Sequence, residues 1–275
     1  MHQPQSPPSC YLCPLCAVPL QLKQKSYACE NNHHFDLAKE GYLNLLPVQF
    51  KHSSEPGDNK QMIQARRAFL EAGYYEPMAK AAAMMIAASQ PEQLLDLGCG
   101  EGYYSRQLEA LSTHTMNLHG VDIAKYAIAA AAKKQANARF IVASANRLPY
   151  ADQFFDVVLR IFAPSNDAEL ARVLKPSGLL LTVTPGPRHL WQLKQFIYAE
   201  VKEHALENAL PPGFERLDTQ RISYKITPNP QQRLALLHMT PFAWHANEQV
   251  QQAIQEATDF EIETDFMLTL AIKSV

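Results

Sequence analysis

At 275 residues, 47% hydrophobic and 19% charged, the chain has the length and composition of a folded protein with one main domain and a smaller one. A formal net charge of −2 excludes bulk electrostatic attraction to nucleic acid, so any such binding must rest on local patches. No apolar run is long enough to span a membrane, and residues 1–9, rich in Pro and Gln, lack the basic and apolar regions of a signal peptide. A cytoplasmic protein with a fraying start and reduced cysteines is expected.

Four of the five cysteines lie in the first thirty residues. Cys13-Pro14-Leu15-Cys16 forms a C-x₂-C knuckle, and Cys29 with His33 adds C-x₃-H. Each short loop aims two side chains at one point, and three thiolates with one imidazole make a closed tetrahedral zinc site. Cys10 and His34 leave some ambiguity in the ligand set, but Cys13, Cys16, Cys29 and His33 have standard finger spacing. A segment so poor in core residues needs such a staple to fold.

Residues 35–46 read as a turn and a short strand closing the zinc module onto the next domain. The polar run 51–60, with Pro56-Gly57, reads as a linker or flexible surface loop. Helical patterns follow at 61–70, ended by Gly73, and at 76–88, with Tyr74-Tyr75 between them. The basic pairs Arg66-Arg67 and Lys133-Lys134 read as solvated helix faces. From residue 91 onward strand and helix alternate as in a parallel α/β sheet. Strands are expected at 94–97, 117–122, 139–143, 155–162 and 179–184, with helices at 101–111, 124–135 and 167–174. Runs at 260–266 and 268–272 are expected to pair as an antiparallel edge, for seven strands in all. The expected division is 1–50 for a zinc-binding module, 51–90 for linker and helices, and 91–275 for the main α/β domain.

Leu94-Leu95-Asp96-Leu97-Gly98-Cys99-Gly100-Glu101-Gly102-Tyr103 organises the chain: a buried strand runs through a glycine turn into a helix. Tyr103 stands where a dinucleotide fingerprint needs its third glycine, and no G-K-[ST] follows, which excludes two common nucleotide loops. The D-x-G-x-G-x-G pattern resembles the cofactor loop of class I methyltransferases that use S-adenosylmethionine (SAM). In that reading Asp96 faces the cofactor's ammonium, and the amides of Gly98, Gly100 and Gly102 face its carboxylate. Asp122, ending the second strand, is placed to accept both ribose hydroxyls. The loop 144–149, with Asn146, resembles the one that holds the adenine edge. After the fourth strand stands Arg160-Ile161-Phe162-Ala163-Pro164 rather than [DN]-P-P-[YF], which argues against methylation of an exocyclic base amine.

Further stretches make the resemblance specific: 36–46, Pro56-Gly57-Asp58, 64–70, 98–104, 184–190 and 239–244. Together with the zinc pattern they are similar to the RlmA-type 23S rRNA (guanine-N1)-methyltransferases, weakening over 206–232. The resemblance implies a Rossmann-like class I methyltransferase sheet ending in an antiparallel hairpin. It also implies a homodimer that methylates guanine N1 in a hairpin loop of domain II of 23S rRNA, with neither membrane nor DNA as partner. Carried over by position, cofactor contacts fall on Tyr75, Gly100, Glu101 and His189, and metal ligands on Cys13, Cys16, Cys29 and His33. Guanine N1 must shed a proton as it attacks the sulfonium methyl, so an acceptor belongs nearby. Phe162, Trp191 and Trp244 are candidate base platforms, and Arg160, Arg188 and His189 candidate polar contacts. His189 remains open between base and cofactor contact, and no catalytic base is assigned.

Overall fold

A computed structural model describes residues 10–51, 53, 56–206, 209–258 and 260–274; the frayed start expected for 1–9 lies outside them. Strands β1 (Gln21–Lys23), β2 (Ser26–Ala28) and β3 (His34–Asp36) form a small antiparallel sheet in the order β1-β2-β3. A second sheet of eight strands holds β4 (Leu43–Asn44), β5 (Gln93–Leu97), β6 (Asn117–Asp122), β7 (Arg139–Val142), β8 (Phe155–Ile161), β9 (Leu174–Pro185), β10 (Phe214–Ile226) and β11 (Ile262–Lys273). Their order is β10-β11-β9-β8-β5-β6-β7-β4, parallel from β9 to β4 and antiparallel at β11 and β10. Seven of these make the expected Rossmann-like sheet. The eighth, β4, comes from the N-terminal segment and pairs with β7, which would otherwise be the edge.

One pairing differs from expectation. The runs at 260–266 and 268–272 are a single strand, β11, and its hairpin partner is β10. Residues 214–226 escape a pattern search because β10 is an edge strand with a largely exposed, charged face, so its apolar periodicity is faint.

Alternation along the central strands divides the core between the two faces of the sheet. Leu94, Leu159, Leu181 and Phe266 face α1 (Lys60–Glu71), α2 (Glu76–Ala87), α3 (Tyr103–Leu111), α7 (Pro230–His238) and α8 (Glu248–Glu256). Leu95, Val158 and Leu180 face α5 (Asp167–Val173) and, from the N-terminal segment, Tyr11, Cys13 and Leu20. The remaining helices are α4 (Lys125–Lys134) and α6 (Trp191–Gln195). The zinc-binding segment is clipped to the sheet by Leu12 N–H donating to the Pro149 carbonyl (3.0 Å) and Ala151 N–H donating to that of Cys10 (3.1 Å).

The order of strand addition reverses at β5, although β5 and β8 run parallel: β6 and β7 lie to one side of β5, β8 and β9 to the other. Such a switch point opens a crevice at the strands' carboxyl ends, where ligands of α/β sheets bind.

Candidate functional site

Two sites take shape. In the first, Cys13 and Cys16 flank a tight turn in which Ala17 N–H donates to the Cys13 carbonyl (2.8 Å); Cys29 and His33 flank another, closed by Asn32 N–H to the Cys29 carbonyl (3.1 Å). The four ligand atoms lie within 4.8 Å of one another. His33 Nδ1 stands 3.4 Å from each of the three sulfurs, and Cys16 Sγ is 3.7 Å from Cys29 Sγ. A zinc tetrahedron with standard bond lengths has S–S edges of about 3.7 Å and S–N edges of about 3.5 Å. The donor set therefore fits zinc in chemistry and in size. Cys10 and His34 stand outside the cluster.

The second site is a cavity of about 410 Å³ at the switch point. Its wall is built by the loops after four parallel strands: Gly98 and Gly100 after β5, Asp122 at the end of β6, Asn146 after β7 and Phe162 after β8. Gly98 has φ +75°, and a Cβ there would stand 2.4 Å from the Ala163 Cβ, so only glycine lets the two loops meet. Asp122 accepts from Gly100 N–H (2.9 Å) and Ala124 N–H (2.8 Å), and burial raises its pKa. Each of its oxygens keeps a lone pair for a diol. The size, glycine cradle and strand-end acid fit an adenosyl-amino acid.

Several residues sit differently from the pattern's expectation. Four amides of the glycine turn are already engaged: Gly98 and Cys99 donate to the Val121 carbonyl, Gly102 to that of Cys99, and Gly100 to Asp122. A ligand carboxylate cannot take them. Asp96 lies beneath the turn, accepts from Ser105 Oγ (2.6 Å), and burial pushes its pKa up to about 7. The Glu101 side chain, 1% exposed, is ringed by Arg106 (3.1 Å), Arg67 (3.4 Å) and Lys134 (3.5 Å). Arg67 and Lys134 are thus not the solvated charges of a helix face, because the buried carboxylate draws them in. Likewise residues 57 and 58 of the expected linker, together with Arg66 of α1, form part of the cavity wall; residues 52, 54 and 55 of that run lie outside the described ones.

Tyr75 and His189 are buried one aromatic layer behind the wall, with the His189 ring 5.6 Å from that of Phe162. Asp265 N–H donates to His189 Nδ1 (3.2 Å), so the proton resides on Nε2, which faces the Tyr75 hydroxyl at 3.5 Å. Burial, with Lys194 and His204 nearby, lowers the His189 pKa to about 3. Both ring nitrogens are committed, and in this arrangement His189 is no general base. Of the candidate platforms, Phe162 stands on the cavity wall at φ +51° and 39% exposed, while Trp244 is 74% exposed on the turn Pro241–His245. Trp191 instead stacks under Arg188 (4.4 Å), which is ion-paired to Glu263 (2.6 Å), and Arg160 bonds Ser165 Oγ (2.7 Å).

Comparison with known proteins matches both parts of the chain. The family profile described as "RlmA, N-terminal" matches residues 11–54, and a "Methyltransferase domain" profile matches 94–178. A Streptomyces fradiae protein, "23S rRNA (guanine(748)-N(1))-methyltransferase", is 33% identical over 85% of each chain. Bacillus subtilis YxjB, named provisionally for the same type of activity, is 32% identical over 96% of this chain and 98% of its own. A Thermotoga maritima demethylmenaquinone methyltransferase is 32% identical, but over only 33% of this chain. Fold, glycine cradle and zinc-fitting cluster define a class I SAM-dependent methyltransferase with an N-terminal zinc ribbon. Within that class, the chain belongs to the RlmA family of 23S rRNA (guanine-N1)-methyltransferases. SAM supplies an electrophilic methyl group, and zinc holds the ribbon together.

Proposed function

We infer that this chain methylates N1 of a guanine in 23S rRNA, in a hairpin loop of domain II, acting as a cytoplasmic homodimer. The observation that carries the reading is the joint presence of the zinc-fitting cluster and the switch-point cavity, in a chain matched over nearly its whole length by relatives named for that reaction. The likeness to a metabolite methyltransferase, by contrast, extends over only 33% of this chain.

In this reading Gly98, Gly100 and Gly102 let the cofactor approach the main chain, Asp122 takes the ribose hydroxyls and Asn146 the adenine edge. Asp96 answers the cofactor's positive charge from below the turn, since a nearby cation draws a carboxyl raised by burial back toward ionisation. Glu101 fixes the turn through its cation ring, and Tyr75 and His189 close the methionine end. Zinc on Cys13, Cys16, Cys29 and His33 shapes the RNA-recognition module. The guanine, splayed from its loop, stacks on Phe162 with N1 in line with the methyl–sulfur bond. Bound SAM would supply the methyl group, its sulfur keeping the electron pair of the broken bond as a neutral thioether, while the N1 proton would pass to an acceptor.

Tritiated SAM and 23S rRNA lacking the modification test the assignment. Label recovered as 1-methylguanosine is expected; label only in small metabolites, or none despite cofactor binding, refutes it.

A further inference from the structure

The cofactor cavity contains one cation that the glycine motif does not announce. Among the described residues that line it, Arg66 is the one basic side chain, set against the acids Asp58, Glu101 and Asp122. The Glu101 charge is matched by its own ring of Arg67, Arg106 and Lys134. Arg66 Nη2 donates to Asp58 Oδ2 at 2.6 Å and to the Met239 carbonyl at 3.2 Å. Its Cδ lies 3.9 Å from the point a Cβ on Gly100 would occupy, so the side chain crosses directly over the glycine turn.

SAM brings a carboxylate into this space along with its two positive charges. The turn amides of Gly98, Cys99, Gly100 and Gly102 are spent within the protein. A carboxylate leaving water needs charge-assisted donors in their place, and a guanidinium fork matches its two oxygens. Asp58 already engages that guanidinium with a carboxylate of its own, through a single Nη2–Oδ2 bond. It does so from a segment that reaches the end of β6 only because residue 57 is glycine: at φ +84°, a Cβ there would stand 2.8 Å from Ile123 Cγ2.

We propose that Arg66 is the anchor for the carboxylate of the cofactor's methionine moiety, and that Asp58 is a stand-in partner which yields the guanidinium when the ligand binds. The inference rests on the SAM reading of the cavity. It makes Arg66 the residue that distinguishes SAM from an analogue without the carboxylate. Nothing in the helical pattern of 61–70 marks this role; it arises from the fold of α1 across the strand ends.

Titration calorimetry of the full zinc-loaded chain with SAM and with decarboxylated SAM tests it. The wild type is expected to prefer SAM by about 10- to 100-fold, the range of a charged hydrogen bond. Arg66→Met should abolish that preference while binding decarboxylated SAM as the wild type does. Arg66→Lys, with charge but no fork, should keep part of it, and it serves as the deciding variant if thermal unfolding shows that Arg66→Met is not folded. A preference that survives substitution, or equal loss of both ligands in a folded variant, overturns the proposal and makes Arg66 a structural strut. Failure of the wild type to bind either ligand overturns the SAM reading itself, a separate outcome.

Discussion

Replacing His119 with Leu tests how the zinc-bearing segment is seated on the sheet. His119, on β6, is fully buried among Phe155, Tyr150, Phe154 and Tyr11, at ring distances of 5.3, 5.5, 5.6 and 6.3 Å. Among the described residues neither ring nitrogen has a hydrogen-bond partner. Burial, with Arg139 nearby, lowers its pKa from 6.5 to about 3. The unfolded chain therefore takes up a proton as pH falls below 6.5, while the folded one stays neutral at this ring until about pH 3. More protons bind the unfolded state, so stability falls with pH across that window, by about 1.4 kcal/mol per unit. Leucine does not titrate. Between pH 7.5 and pH 5.5 the variant should gain about 1.4 kcal/mol on the parent, as measured by urea unfolding at both pH values. Asp96, raised to about 7, has the opposite dependence, and His189 the same one as His119, but both titrate in parent and variant and cancel in the difference. Parallel stability curves for the two proteins would refute a neutral, caged His119.

The ion cluster at the glycine turn gives a second expectation. Glu101→Gln leaves Arg67, Arg106 and Lys134 facing a neutral amide, and should cost about 3 kcal/mol in urea unfolding. This sits at the low end for a broken buried pair, because the three cations are a quarter to a third exposed and partly screened. A loss below about 0.5 kcal/mol would reassign the cluster to the surface class. Gly98→Ala drives a Cβ to within 2.4 Å of Ala163 in a left-handed turn. It should abolish SAM binding in calorimetry while the ribbon keeps its zinc; full binding would show that the two loops can part.

The parallel half of the sheet was legible because its signals are local. An apolar run such as 94–97, followed by glycines and then a helix, needs no tertiary knowledge to be read. The zinc ligands were equally plain, since knuckle spacing is a short-range constraint. β10 was not, for its sequence FERLDTQRISYKI is that of an edge strand whose exposed face carries no apolar pattern. Tyr75 and His189 came from family likeness, and no periodicity points to them. Asp58, Arg66 and Ser105 became visible only in three dimensions, since helix packing and loop path decide whether a charged residue meets solvent or a cavity. Sequence equally could not reveal that the glycine-turn amides are spent on Val121, Cys99 and Asp122, because those bonds depend on how β5, β6 and the turn lie together.

The eighth strand ties metal status to colloidal behaviour. β4 lies against β7 in register Leu43 with Ile141 and Asn44 with Val142, and Leu45 N–H extends the ladder to the Val142 carbonyl at 2.9 Å. It is carried by the segment that the zinc ligands Cys13, Cys16, Cys29 and His33 draw together, and a ribbon of this size leans on its metal to fold. Stripping the zinc is therefore expected to bare the ladder groups of Ile141 and Val142 along an open sheet margin, a template for strand addition by a second molecule. A chelated or oxidised ribbon should accordingly announce itself first as self-association and loss from solution, ahead of any defect in methyl transfer.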